Sequence, residues 1–216
     1  VSKAVEAAAA QTVADEKLSK VTNGAQALTQ VIKTGDAFQK ALAKRLRGFV
    51  ANVKIVVVEA NQPVPEGIAK NPRYARDWDR ARAMYAENYK TGERVVYVRG
   101  ASFGDAQGVN NITMLHELLH AALNRKVAIG RNDIENGRKS ETARLFTDLV
   151  EIMNNAGEQF NELASRGRLP EHISKLAQYG EIFDDPREFI AYGMSDPDFQ
   201  AFLKTARGFG TSQPFY

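Results

Sequence analysis

The stretch that most restricts this chain is residues 111–125, NITMLHELLHAALNR, where two histidines four residues apart enclose a glutamate in an otherwise apolar run. The chain has 3 histidines and places two of them here. Residues four apart lie one turn apart on the same face of an α-helix, so His116 and His120 can aim both imidazoles at one point. Glu117 projects about 100° away, on the side where a metal's water would sit. Zinc takes two such nitrogens, a third protein ligand and a water whose pKa it lowers to about 7, and the carboxylate can then take that water's proton. The competing reading is a satisfied His–Glu–His arrangement inside a buried helix. Composition weighs against it, because the spacing arises by chance in roughly one such sequence in several hundred. So does context. Ile112, Met114, Leu115, Leu118, Leu119, Ala121, Ala122 and Leu123 leave little polar surface, which predicts a buried helix. A charged Glu117 inside it is costly unless it has a partner or a task.

Length and composition bound the class. The 216 residues suffice for one domain with an appendage, and 44% hydrophobic with 25% charged content is ordinary for a globular protein. No run of 18 apolar residues predicts a membrane span. The opening AVEAAAA contains Glu6 and lacks a basic leader, so it does not read as a signal peptide. The first residue is Val, which suggests a processed product or a piece excised from a longer protein. The absence of cysteine excludes disulfides, thiolate zinc sites and thiol nucleophiles. A net charge of +3 is too small by itself to argue for nucleic acid. Residues 70–85 are more basic, with Lys70, Arg73, Arg76, Arg80 and Arg82 against Asp77 and Asp79. They read as a solvated loop or short helix, or else as a rim that meets an anionic partner.

The pattern along the chain predicts an Ala-rich helix to about residue 20, a break at Asn23-Gly24, and helices over about 26–33 and 36–49 with Asp36 as N-cap. NVKIVVVEA (52–60) is the clearest strand, and its near-continuous apolar run predicts cover on both faces. Residues 83–100 read as a hairpin turning at KTGE. A Gly-bearing loop (100–110) leads into the histidine helix, and a polar connection is expected over 130–139. Ser140 is expected to cap a helix over 141–164, followed by a break at RGRLP and a helix over about 171–178. Asp185-Pro186 and Asp196-Pro197 then open two helices within 184–206, and the tail 207–216 looks loose. Helices, a few strands and again helices make an α+β chain. The expected division is a helical appendage over 1–50, a domain over 51–206 and the tail.

The third ligand is open on spacing alone. Position 126 is Lys126 and position 123 is Leu123, which excludes the metzincin pattern. Glu141 lies 21 residues past His120, a spacing similar to that of thermolysin-like enzymes; Glu188 and His172 are the other candidates.

MLHELLHAAL, followed at a distance by YGEIFDDPREFIAYGMSDPDFQAFL, resembles the zincin-like (gluzincin-type) metallopeptidase domains of large polyvalent proteins from bacteriophages and conjugative elements. The resemblance covers about residues 83–204. Glu188-Phe189, Ala191, Ser195, Pro197 and Phe199-Gln200 fall in register with that family's downstream phrase. It implies a zincin fold with a small mixed sheet and a C-terminal helical subdomain. It also implies His116, His120 and Glu188 as Zn²⁺ ligands, and Glu117 as general base in peptide-bond hydrolysis. A virion, or the host cytoplasm after delivery, is the implied location, with a protein or peptide substrate and other virion or polyprotein segments as partners. The chain departs from the family at Tyr192, where a second Glu is usual. One turn past Glu188, a tyrosine can donate to a developing oxyanion or simply pack. MYAENY (84–89) is the expected edge strand for an extended substrate, with Tyr85 and Asn88 set against Met84 and Glu87 as binding residues. Two other classes compete: a non-catalytic virion component whose metal staples helices, and a nucleic-acid binder acting through residues 70–82.

Overall fold

A computed structural model describes residues 16–79, 81–100, 109–169, 171, 173–174 and 182–206, without the Arg73 side chain. The N-terminal helix up to residue 15, most of the 100–110 loop, Arg80, His172, most of the 171–178 helix and the tail lie outside the described residues. The chain is α+β. Its described elements are α1 (Gly24–Thr34), α2 (Ala37–Val50), β1 (Lys54–Val58), α3 (Glu66–Ala69), α4 (Pro72–Trp78), β2 (Ala83–Asn88), β3 (Glu93–Arg99), α5 (Asn111–Glu135), α6 (Glu141–Ser165), α7 (Pro186–Ser195) and α8 (Pro197–Thr205). It divides into two compact units, one reaching Ala122 and the other starting at Leu123.

In the first unit, cap chemistry sets α1 and α2. Asn23 accepts a hydrogen bond from the Gln26 amide, and Asp36 forms a reciprocal capping box with Gln39. The strands order as β1-β3-β2, with β1 parallel and β2 antiparallel to β3. One face of the sheet carries Val56, Val58, Met84, Ala86 and Tyr97, packed with Ile68 of α3, Tyr74 and the nearly buried Trp78 of α4. Successive strand residues alternate faces, so Ile55, Val96 and Val98 lie on the other face with Arg94. The Arg94 guanidinium donates to the Phe49 carbonyl at 3.0 Å and the Ala121 carbonyl at 3.1 Å, so that face turns toward the end of α2 and toward α5. Ile55 and Val58, on opposite faces of β1, are both 3% exposed, as the apolar run predicts for a strand covered on both sides.

The second unit is helical. Met153, Ala156 and Phe160 of α6 pack with Phe189 of α7 and with Phe199, Phe202 and Leu203 of α8. The rings meet edge to face, Phe189 on Phe199 at 5.7 Å and 89°, and Phe160 on Phe202 at 6.0 Å and 81°. α5 runs on to Glu135, through residues expected to form a connection. The reason is Gly130: a Cβ there would stand 2.7 Å from the Phe146 Cβ and from the Thr142 carbonyl, so the glycine serves close helix packing rather than a turn. The turn comes later, at Gly137 with φ 66°. Asp133 ties it down, accepting from Arg138 Nε at 2.7 Å and Ser140 Oγ at 2.5 Å, while Ser140 accepts from the Ala143 amide to cap α6.

Two outcomes are expected. Gly130→Ala should lower unfolding free energy by about 1–3 kcal/mol in urea titrations, because overpacking against backbone outweighs alanine's helix propensity. The Ser140 and Arg138 hydrogen bonds hold the Asp133 carboxyl below the usual carboxylate range. A depressed folded-state pKa contributes stability above the unfolded value, about 3.9, that is lost as pH falls through the folded value. Asp133→Asn should therefore unfold at lower urea than the parent near pH 7, and the gap should close in acid.

Candidate metal centre

The site begins with how α5 is held. Asn110 Oδ1 accepts from the Thr113 amide at 2.8 Å and starts the helix. Asn111, 6% exposed, bonds the Thr34 hydroxyl at the end of α1 through Nδ2 at 3.1 Å. Met114, Leu115, Leu118 and Leu119 are at most 1% exposed, and each such side chain contributes about 1.5–3 kcal/mol by leaving water. That apolar set fixes the helix's rotation. It leaves His116 partly buried, with Glu117 and His120 each at 7% exposure.

The two imidazoles face each other. Their Nε2 atoms are 3.1 Å apart, with the rings at 76°. Which ring donates depends on the tautomer, and with both rings protonated at Nδ1 both Nε2 lone pairs are available to a metal. Ligands bonded to zinc at 2.0–2.1 Å in a tetrahedron stand about 3.3 Å apart, so the pair's spacing suits a shared ion nearly as it stands. Among the described residues, one group of three potential ligands has its ligand atoms within 4.8 Å of one another: His116, His120 and Glu188. Two imidazoles and a carboxylate are a donor set that zinc accepts with a position left for water, and other divalent first-row metals accept it too.

Glu188 stands in the first turn of α7. Asp185 caps that helix by accepting from the Arg187 amide at 2.9 Å, and Pro186 pre-sets the first turn. The Arg187 guanidinium also bonds the Asp185 carboxylate. Burial works to raise that carboxyl, but the Arg187 bonds outweigh it and hold it below the usual range. Phe189, 5% exposed, anchors α7 in the aromatic core, and Tyr192 one turn on packs partly against the same core.

The other sequence candidates fall elsewhere. Glu141 opens α6 and lines a depression of about 520 Å³ with Arg138, Ser140 and Arg144; it is not in the three-residue group. β2 is at the sheet's edge, as expected for MYAENY. Its side chains differ from the expectation, because a pleat alternates with period two. Tyr85 shares a face with Glu87, to which its hydroxyl donates at 3.0 Å, and Asn88 falls on the opposite face. Tyr85 is 7% exposed, and burial, then Glu87, push its phenol upward. Asn88 holds the turn by accepting from the Lys90 and Thr91 amides at 3.0 and 3.3 Å. In the basic stretch, Lys70 pairs with Glu66 and Arg76 with Asp77, which neutralises part of it locally. Sequence reasoning missed the Arg94 and Asn111–Thr34 tethers of α5. Both are long-range side-chain bonds that leave no local pattern. Comparison with protein-family models, with curated proteins and with solved structures gave no match.

The group makes a direct prediction. Protein purified without chelator or histidine tag should carry about one divalent first-row metal ion per chain by elemental analysis. Glu188→Ala should lower the affinity by about 100-fold or more, and Glu141→Ala should leave it unchanged.

Proposed function

We propose that this chain is a zinc-dependent metallopeptidase that cuts a peptide bond in a protein substrate. The observation that carries the proposal is the facing His116–His120 pair, with Glu188 in the same group of ligand atoms and Glu117 buried beside it. The register of residues 188–200 with the downstream phrase of phage and mobile-element polyvalent proteins supports the same class and ligand set. It also points to a virion or mobile-element protein that processes its own polyprotein or a host protein.

When bound, zinc acidifies a water and polarises the substrate carbonyl. The chain's own residues do the rest. Glu117 takes the proton of the attacking water and delivers it to the leaving amine. Its burial keeps bulk water from competing for that proton. Tyr192 donates a hydrogen bond to the oxyanion that develops on the carbonyl oxygen. The β2 edge of the sheet supplies main-chain donors and acceptors to an extended peptide, while Tyr85 and Asn88 keep the strand and its turn in shape.

Glu117→Gln should keep the metal and lose hydrolysis of an unstructured protein such as casein by about 100-fold or more, read as kcat/KM. Tyr192→Phe should lower kcat by about 10-fold or more with KM little changed, since it removes a bond made only in the transition state. A parent that binds zinc with a closed ligand shell and shows no Glu117-dependent hydrolysis would instead make the metal a structural staple.

A further inference from the structure

The outer side of α2 (Ala37–Val50) takes no part in the site above. Gln39, Leu42, Ala43, Leu46 and Val50 form its buried side. The rest of the helix carries Lys40, Lys44, Arg45 and Arg47 and no acid. Residues 33–50 hold five basic side chains against the single acid Asp36, a net charge of +4, while the whole chain carries +3. This segment is one of two basic stretches, the other being residues 70–82 with five basic residues against Asp77 and Asp79. Asp36 is the N-cap and accepts from the Gln39 amide at 2.8 Å.

Two aromatic rings stand out on the same helix. Phe38 is 46% and Phe49 54% exposed. Eleven residues are three turns plus about 20°, so both rings project from one side, about 16 Å apart along the axis. Ala41, Arg45 and Gly48 occupy the exposed surface between and beside them. A Cβ on Gly48 would meet nothing within 4 Å, so this side is open. Single exposed phenylalanines are ordinary. Two in line on a cationic helix match a helix that lies along an anionic surface, its rings in the apolar boundary and its cations at the headgroups. Rings about 16 Å apart on a convex helix do not match the stacking of successive bases, which favours a bilayer over single-stranded nucleic acid.

We propose that α2 is a docking surface for an anionic lipid bilayer. Arg45, about 20–40° from the rings around the helix, and Lys44 meet the lipid headgroups, and Phe38 and Phe49 enter the boundary beside them, while Lys40 and Arg47 project from the flank opposite the rings. The proposal does not depend on the metal centre. The test is co-sedimentation of the full chain with vesicles of phosphatidylcholine alone and with about one-third phosphatidylserine. The expected result is binding to the anionic vesicles only, weakened as salt rises from about 0.1 to about 0.5 M. Lys44→Glu with Arg45→Glu should weaken it by about 25-fold or more, at about fivefold per cation. Lys90→Glu with Arg125→Glu, the same charge change elsewhere, should leave it within about twofold. Phe38→Ala with Phe49→Ala should weaken it at both salt concentrations. All of these positions are exposed, and circular dichroism checks that each variant folds. No binding to anionic vesicles, equal binding to both vesicle types, or equal losses with the α2 and control charge pairs would overturn the proposal. So would binding of duplex or single-stranded DNA that is lost with the α2 variants while vesicles are ignored.

Discussion

Everything of chemical interest depends on the burial of four aliphatic side chains on α5. Met114, Leu115, Leu118 and Leu119 have no comparable alternative to the interior, and their positions on the helix leave no choice of rotation. Once they are placed, His116 and His120 must share a face and Glu117 must lie beside them, in a poorly hydrated place. The Thr34–Asn111 bond and the Arg94 bond to the Ala121 carbonyl hold the two ends of this stretch. Two long-range polar contacts and one apolar stripe thus bracket the histidines from both sides. A shift of the helix by one residue would turn the imidazoles by about 100°.

The helix that carries Glu188 follows the same logic with other parts. Its first turn is set by Asp185 and Pro186, and its rotation by Phe189 among the aromatic rings of α6 and α8. A cap fixes where a helix starts, and a buried ring fixes which way it faces. Between them they orient a glutamate and, one turn later, a tyrosine. The surface is organised by different forces. Of the cations of α2, Arg47 sits in the last turn, where the helix dipole favours it, and the others face solvent or its margin.

Much of this was legible because the signals are local. HELLH states its geometry through a four-residue spacing, and the Asp-Pro pairs at 185–186 and 196–197 state helix starts through a side-chain oxygen and a fixed φ. The hairpin and its edge strand follow from alternation and a turn. The reading of Gly130 as part of a connection went the other way, because a glycine that permits close packing looks the same in sequence as one that permits a turn. The grouping of Tyr85 with Asn88 did not hold, since strict period-two alternation sets Tyr85 with Glu87. The Phe38–Phe49 line was present in sequence as an eleven-residue spacing, but it means something only once Leu42 and Leu46 are known to be buried.

The sequence by itself determined the α+β class, most helix starts and the pairing of His116 with His120, because each rests on contacts within one turn or one strand. Only the tertiary structure decided which acid stands near that pair. Glu141 and Glu188 were both open on spacing. Sequence separation says nothing about distance in space once loops and helices intervene, and only folding brings Glu188 into the group and leaves Glu141 beside Arg138 and Ser140.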